Sequence, residues 1–299
     1  RFGGMPLPVA AAATLAFCAF LALFPALAGW MQARIARDSA APAVLRAVLL
    51  IPAAWTLIEW SLSWLLTGFP WLAFGYTAID DVLSGFAPVG GVYAVTLAMA
   101  VAAGLVWCTA LGHARWLAAG ALVLLLACGY ALRATTWTTP AGDPLRVALL
   151  QGNVPQEIKF DPQRYERTLD NYANLAEDSD ARLIVLPETA LPRFLDQVEP
   201  AFLARLKAAA VRNKGDLLLG VPARAGPGIY LNSAISLGMS PSAKYDKVHL
   251  VPFGEFVPPG FGWIVSTLAI PLSDFSRGSL KQRPMPIAGQ RVAVNICYE

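Results

Sequence analysis

Hydrophobic and polar positions change character near residue 133. Before that point the apolar residues do not alternate; they run. No charge occurs in 2–33, 82–112 or 116–132, and the apolar run 44–66 carries Glu59 in its interior. Each run is near or above the roughly 20 residues that cross a bilayer as a helix. The pattern predicts four spans, at about 5–29, 44–66, 87–111 and 114–133. Arg115 and Arg133 flank the shortest run and can reach the interface along their own aliphatic stems.

After residue 133 the pattern breaks into short pieces. Leu145–Leu150, Leu183–Pro187, Asp216–Val221 and Tyr230–Gly238 read as buried strands. Residues 162–178 and 199–213 have helical spacing, the first opened by Asp161-Pro162. The predicted fold is therefore an α-helical transmembrane bundle over 1–133, with an outer loop at 67–86, and an α/β domain over 134–299.

Composition agrees with that division. Hydrophobic residues make up 56% of the chain and charged residues 14%, with a mean hydropathy of +0.52. Of the 23 Lys/Arg and 20 Asp/Glu, only six and four lie in 1–133. A net charge of +3, scattered along the chain, gives no basis for nucleic-acid binding. Arg34, Arg37 and Arg46 follow the first span and Arg115 the third, whereas 67–86 has no Lys or Arg. By the positive-inside rule that loop faces out, and everything after Arg133 is extracytoplasmic. Glu59 is costly inside a span, so it is either a carboxylate held near the interface or a functional group. The aromatic-rich Thr67-Gly-Phe-Pro-Trp-Leu-Ala-Phe-Gly-Tyr76 suits headgroup depth.

Candidate chemistry follows the spans. Glu188 ends a buried strand, Lys247 opens a segment broken by Pro252 and Gly254, and Cys297 is the one cysteine outside the predicted spans. A Pro-Glu after a strand is more often a solvated turn, and a lone lysine is a surface residue by default. Together, however, carboxylate, ammonium and thiol supply a proton acceptor, an oxyanion stabiliser and a nucleophile. An unpaired thiol in an oxidising compartment also needs a use. His249 is assigned no chemistry, and no metal or cofactor is called for.

These residues sit in longer motifs: Gln151-Gly-Asn-Val-Pro-Gln156, Leu186-Pro-Glu-Thr-Ala190, Tyr245-Asp-Lys-Val-His-Leu-Val-Pro-Phe-Gly-Glu-Phe-Val-Pro258, Phe275-Ser-Arg-Gly278 and Ile296-Cys-Tyr-Glu299. With Phe2-Gly-Gly-Met-Pro6 and the 67–76 segment, they make the chain resemble the apolipoprotein N-acyltransferase family. That family is a membrane-embedded member of the nitrilase, or carbon–nitrogen hydrolase, superfamily. The resemblance implies an α-β-β-α sandwich on the periplasmic side of a bacterial inner membrane, incomplete in this chain. It also implies a longer protein: the chain looks truncated at both ends, with further strands and a closing helix expected beyond Glu299.

The same resemblance places a catalytic triad on Glu188, Lys247 and Cys297, and supporting roles on Glu255, Tyr298 and Glu299. Phe160 stands where the family often has tryptophan. The implied partners are a phospholipid acyl donor, a diacylated apolipoprotein acceptor and the membrane itself, with no cofactor. Glu188 and the Lys247 charge are expected to raise the thiolate fraction of Cys297. A membrane-tethered nitrilase-type amidase would use the same three groups, with water as the second nucleophile. Finally, 256–273 is uncharged, yet Pro258, Pro259, Pro271, Gly260 and Gly262 spoil a continuous helix. It is expected to be a lipid-facing lid, with Phe261, Trp263 and Ile264 resting at the bilayer surface.

Overall fold

The computed structural model describes residues 6–38, 41–155, 159, 161–258 and 274–299, divided between two units, Pro6–Ala141 and Gly142–Glu299. The first unit holds helices long and apolar enough to cross a membrane: α1 (Leu7–Asp38), α2 (Ala43–Leu62), α3 (Ala87–Leu111) and α4 (Arg115–Ala134). Leu15, Leu117 and Val123 on these helices are exposed.

Two helix ends differ from the expected ones. α1 continues past 29 to Asp38, because its polar tail is itself a good helix end. Arg34 pairs with Asp38 at 2.9 Å one turn on, and Arg37 sits at the negative end of the helix dipole. α2 stops at Leu62, short of the expected 66, since Leu66 and Thr67 take left-handed φ values of 54° and 79°. The link that follows is folded rather than loose. Glu59 Oε1 accepts the Phe74 N–H at 2.5 Å, and Gly75 N–H donates to Thr96 Oγ1 at 2.8 Å. Arg133 donates to the carbonyls of Asp80 and Asp81 at 2.8 and 3.2 Å. The in-span carboxyl thus anchors backbone that has no helical partner of its own.

In the second unit, β1 (Val147–Leu149), β2 (Leu183–Val185), β3 (Asp216–Gly226), β4 (Ile229–Gly238) and β5 (Lys244–Asp246) form one sheet in that order. β1, β2 and β3 run parallel; β4 and β5 add antiparallel. The parallel connections pass through α5 (Pro162–Asp178) and α6 (Pro200–Arg212). Asp161 starts α5 by accepting the Gln163 N–H at 2.9 Å, with Pro162 in the first turn.

Alternation along β3 sorts the two faces of the sheet. Leu217, Leu219 and Val221 join Tyr172, Ala173, Phe202 and Leu206 in a helix-covered core. Leu218 points the other way, with Leu183 and Ala234, against Met285, Ile287 and Ile296. Met285 and Ile287 belong to a separate hairpin, β6 (Met285–Ile287) and β7 (Gln290–Val292), which the sequence pattern does not announce.

Asp216 holds that hairpin in place. Its carboxylate is 1% exposed and accepts from Ser240 N–H at 2.8 Å, Ser240 Oγ at 2.6 Å and Ala288 N–H at 2.6 Å. Burial pushes the carboxyl up, but these hydrogen bonds outweigh it and hold the group below the ordinary carboxylate value. A depressed folded pKa gives stability that is present above the unfolded value, about 3.9, and lost as pH falls through the folded one. Asp216→Asn would turn an N–H toward a donor. Protection of the Met285–Val292 amides, corrected for intrinsic exchange, should therefore fall on acidification in the parent and already be lower at neutral pH in the variant. Equal protection of the two proteins at neutral pH would remove Asp216 from this role.

Candidate active site

β2 gives out at Val185, and the next residues carry Glu188 off the carboxyl end of the parallel strands, where open α/β sheets place their ligands. Leu186 N–H still pairs with the Leu218 carbonyl at 2.9 Å, and Thr189 turns the chain away with φ 47°. Glycine is required opposite this corner: a Cβ on Gly220 would meet the Pro187 carbonyl oxygen at 2.3 Å.

Lys247 comes immediately after β5. Its N–H donates to the Asn232 carbonyl at 2.8 Å and its own carbonyl accepts from Gly278 N–H at 2.8 Å. Glycine fits there because a Cβ on Gly278 would strike the Asp246 carbonyl oxygen at 2.2 Å. The Lys247 side chain is only 1% exposed. Its ammonium lies 3.0 Å from Glu188 Oε1 and 2.9 Å from the Glu255 carboxylate. Asn232 Nδ2 donates to both of those carboxylates, at 2.6 and 2.7 Å, and Glu255 Oε2 also accepts the Val251 N–H at 2.8 Å. Burial pulls the Lys247 pKa down, but the Glu255 hydrogen bond and the Glu188 charge more than reverse it, so the group stays an ammonium.

Cys297 is exposed, on a turn with the left-handed φ of 51°. A β-carbon residue held there is strained, a condition that clusters at functional sites. Glu299 fastens the turn. Its Oε1 accepts from Tyr245 Oη at 2.8 Å, Val248 N–H at 2.7 Å and His249 N–H at 3.3 Å, and its Oε2 from Ile296 N–H at 2.9 Å. One carboxylate therefore binds the backbone on both sides of the site, next to Lys247 and next to Cys297. Burial, then the Glu299 hydrogen bond and charge, push the Tyr245 phenol up to about 12. The Tyr298 and His249 rings lie 4.9 Å apart between their centroids.

The expectation that Cys297 is primed as a thiolate needs correcting. Burial pushes its thiol up, the Glu188 charge and hydrogen bond push the same way, and only Lys247 opposes them. Burial is the leading cause and charge balance adds to it: one ammonium is shared between two carboxylates, so the cluster near the sulfur is net negative.

Glu188, Lys247 and Glu255 thus meet in one cluster, and Cys297 is near enough for the charges of all three to act on its thiol. Phe160, Phe261, Trp263 and Ile264 lie outside the described residues. Asn232 was missed by the sequence reading, although an asparagine inside a buried strand was a usable signal, since such a group needs partners. A cleft of about 570 Å³ opens beside Glu188, lined among others by Gln151, Asn153, Lys159, Thr168 and Tyr172. Nucleophile, proton acceptor and fixed cation are the set needed for acyl transfer through a covalent intermediate.

Comparison with known proteins adds two family matches. Residues 146–299 match the carbon-nitrogen hydrolase family, and residues 1–105 match the apolipoprotein N-acyltransferase N-terminal domain. A protein named apolipoprotein N-acyltransferase from Nitrosomonas europaea is 46% identical over 307 residues, covering 100% of this chain and 60% of that protein. Its namesakes from Ralstonia nicotianae and Methylococcus capsulatus are 45% and 43% identical, each over 100% of this chain and 57% and 60% of their own length. The chain spans about 60% of the curated relatives it matches.

The charge balance at the sulfur is directly testable. Glu188→Gln removes a negative charge beside Cys297 and leaves Lys247 less outnumbered, so the thiol pKa should fall. Alkylation of Cys297 by iodoacetamide at neutral pH, followed by site-resolved mass spectrometry, should speed up severalfold in the variant. Unchanged or slower alkylation would show that the Glu188 charge does not hold the thiol protonated.

Proposed function

The chain belongs to the carbon–nitrogen hydrolase family, and from that premise we propose that it carries the membrane part and catalytic centre of an N-acyltransferase. It moves a fatty acyl chain from a phospholipid to the α-amino group of the diacylglyceryl-cysteine of an apolipoprotein. The observation that carries the reading is the joining, in one chain, of the Glu188–Lys247–Glu255 cluster and an exposed thiol with four apolar helices, of which α1, α2 and most of α3 fall within the match to the apolipoprotein N-acyltransferase N-terminal domain. A plain amidase has no use for those helices beyond tethering.

Glu188, Lys247 and Cys297 form the triad. Cys297 Sγ attacks the ester carbonyl of the phospholipid while its proton passes to Glu188. Lys247 has three N–H groups; two are taken by Glu188 and Glu255, which leaves one to stabilise the oxyanion. The carbon–oxygen bond then breaks, Glu188 returns its proton to the departing lysophospholipid, and an acyl thioester remains on Cys297. In the second half the acceptor amine attacks the thioester and Glu188 takes a proton from it. The carbon–sulfur bond breaks, giving an amide and a free thiol. Arg34, Arg37, Arg46 and Arg115 stand at the helix ends that flank the links after α1 and α3, and the positive-inside rule favours a cytoplasmic position for those links and a periplasmic one for the catalytic unit.

Radiolabelled phospholipid incubated with the full-length protein should leave a hydroxylamine-labile acyl adduct. A diacylated lipopeptide should discharge that adduct far faster than water does. Cys297→Ala should abolish it, and Glu188→Gln should slow its formation by about a hundredfold or more, the usual scale for losing a base or an oxyanion donor. An undiminished adduct in Cys297→Ala would end the assignment, and discharge by water alone would favour the amidase.

A further inference from the structure

Lys159 lines the same cleft as Glu188 and has no part in the chemistry above. Its ammonium reaches the Glu188 main-chain carbonyl at 3.5 Å, and among the described residues it forms no ion pair. The one carboxylate lining the cleft, Glu188, is already engaged by Lys247 and Asn232. Burial lowers the Lys159 pKa, and the Glu188 charge offsets this only in part. The cleft therefore contains a partly desolvated cation that forms no ion pair among the described residues and is only partly offset by the Glu188 charge, an arrangement that an incoming anion would relieve. The other polar lining groups, Gln151, Asn153 and Thr168, are neutral and do not compete for it.

We propose that Lys159 binds the phosphate of the donor phospholipid and so sets its ester carbonyl at Cys297. The inference rests on the acyl-transfer reading. In a glycerophospholipid the phosphodiester is a few bonds from either ester carbonyl. Glu188 links the two ends: Lys159 sits by its backbone carbonyl, and its carboxylate holds Lys247. An ammonium is a compact point charge with several donors, suited to a singly charged phosphodiester. The acceptor's diacylglyceryl-cysteine carries no phosphate. Lys159 thus acts in the first half-reaction alone and distinguishes donor from acceptor at a shared centre.

The test compares two donors with identical chains, phosphatidylglycerol and diacylglycerol, for thioester formation on Cys297 of the full-length protein. In Lys159→Met the preference for phosphatidylglycerol should fall about tenfold or more, the scale of one charge-assisted hydrogen bond, through the donor KM. Lys159→Arg should keep most of that preference, and the acceptor KM should not move. An equal loss on both donors would mean that Lys159 merely positions Glu188, and an unchanged preference would mean that it binds no phosphate; either overturns the proposal while leaving acyl transfer intact. Inorganic phosphate inhibiting diacylglycerol use as strongly as glycerophosphoglycerol does would mark a free-anion site and overturn the headgroup assignment. If neither donor labels the parent protein, the acyl-transfer reading itself fails and this one with it.

Discussion

A lysine ammonium buried to 1% exposure is the constraint around which the catalytic unit is built. Such a charge costs several kcal/mol to desolvate and is tolerated only when its partners arrive with it. Those partners come from distant places: Glu188 from the end of β2, Asn232 from β4, and Glu255 from the turn after Lys247. β5, which delivers the lysine, is only three residues long and needs support. Ser233 Oγ donates to Asp246 at 2.6 Å, and Gln282 brackets the Asp246 backbone with bonds of 2.8 and 2.6 Å. The short strand is thereby fixed from both sides, and the lysine has one direction in which to point.

Much of this was legible in the sequence wherever a local rule decided the outcome. The uncharged runs give the spans because a bilayer admits little else. Asp161-Pro162 marks the start of α5 because an acceptor and a fixed φ are what a helix start needs. The order of Glu188, Lys247 and Cys297 is readable because each follows a strand or turn signal. What was not legible depends on register. Asn232 meets both carboxylates only because β3 and β4 pair with Leu217 opposite Leu237, and no local pattern announces that pairing. The direction of the Cys297 shift was misread for the same reason, since it depends first on burial and then on how many carboxylates surround Lys247, and both are set by the fold. The far end of α1 was misread because Arg34 looks like an exit from the membrane, whereas with Asp38 it is a helix-stabilising pair.

The two carboxylates on Lys247 are chemically alike, and their surroundings divide the work between them. Glu255 is fixed: its side chain is 11% exposed and takes hydrogen bonds from Val251, Asn232 and Lys247. Glu188 is 30% exposed and borders the cleft, with Cys297 within its reach. In the proposed reaction the group that accepts a proton, returns it and accepts another needs access to the cleft, and of these two carboxylates Glu188 is the one that lines it. Lys247 has to keep a carboxylate partner while Glu188 is transiently neutral, and Glu255, held by Asn232 and Val251, is placed to be that partner. Protonation of Glu188 also leaves one ammonium facing one carboxylate, a neutral cluster in place of a negative one. The penalty against negative charge on the sulfur falls at the moment it appears, so proton transfer and nucleophilic attack assist each other without a standing thiolate.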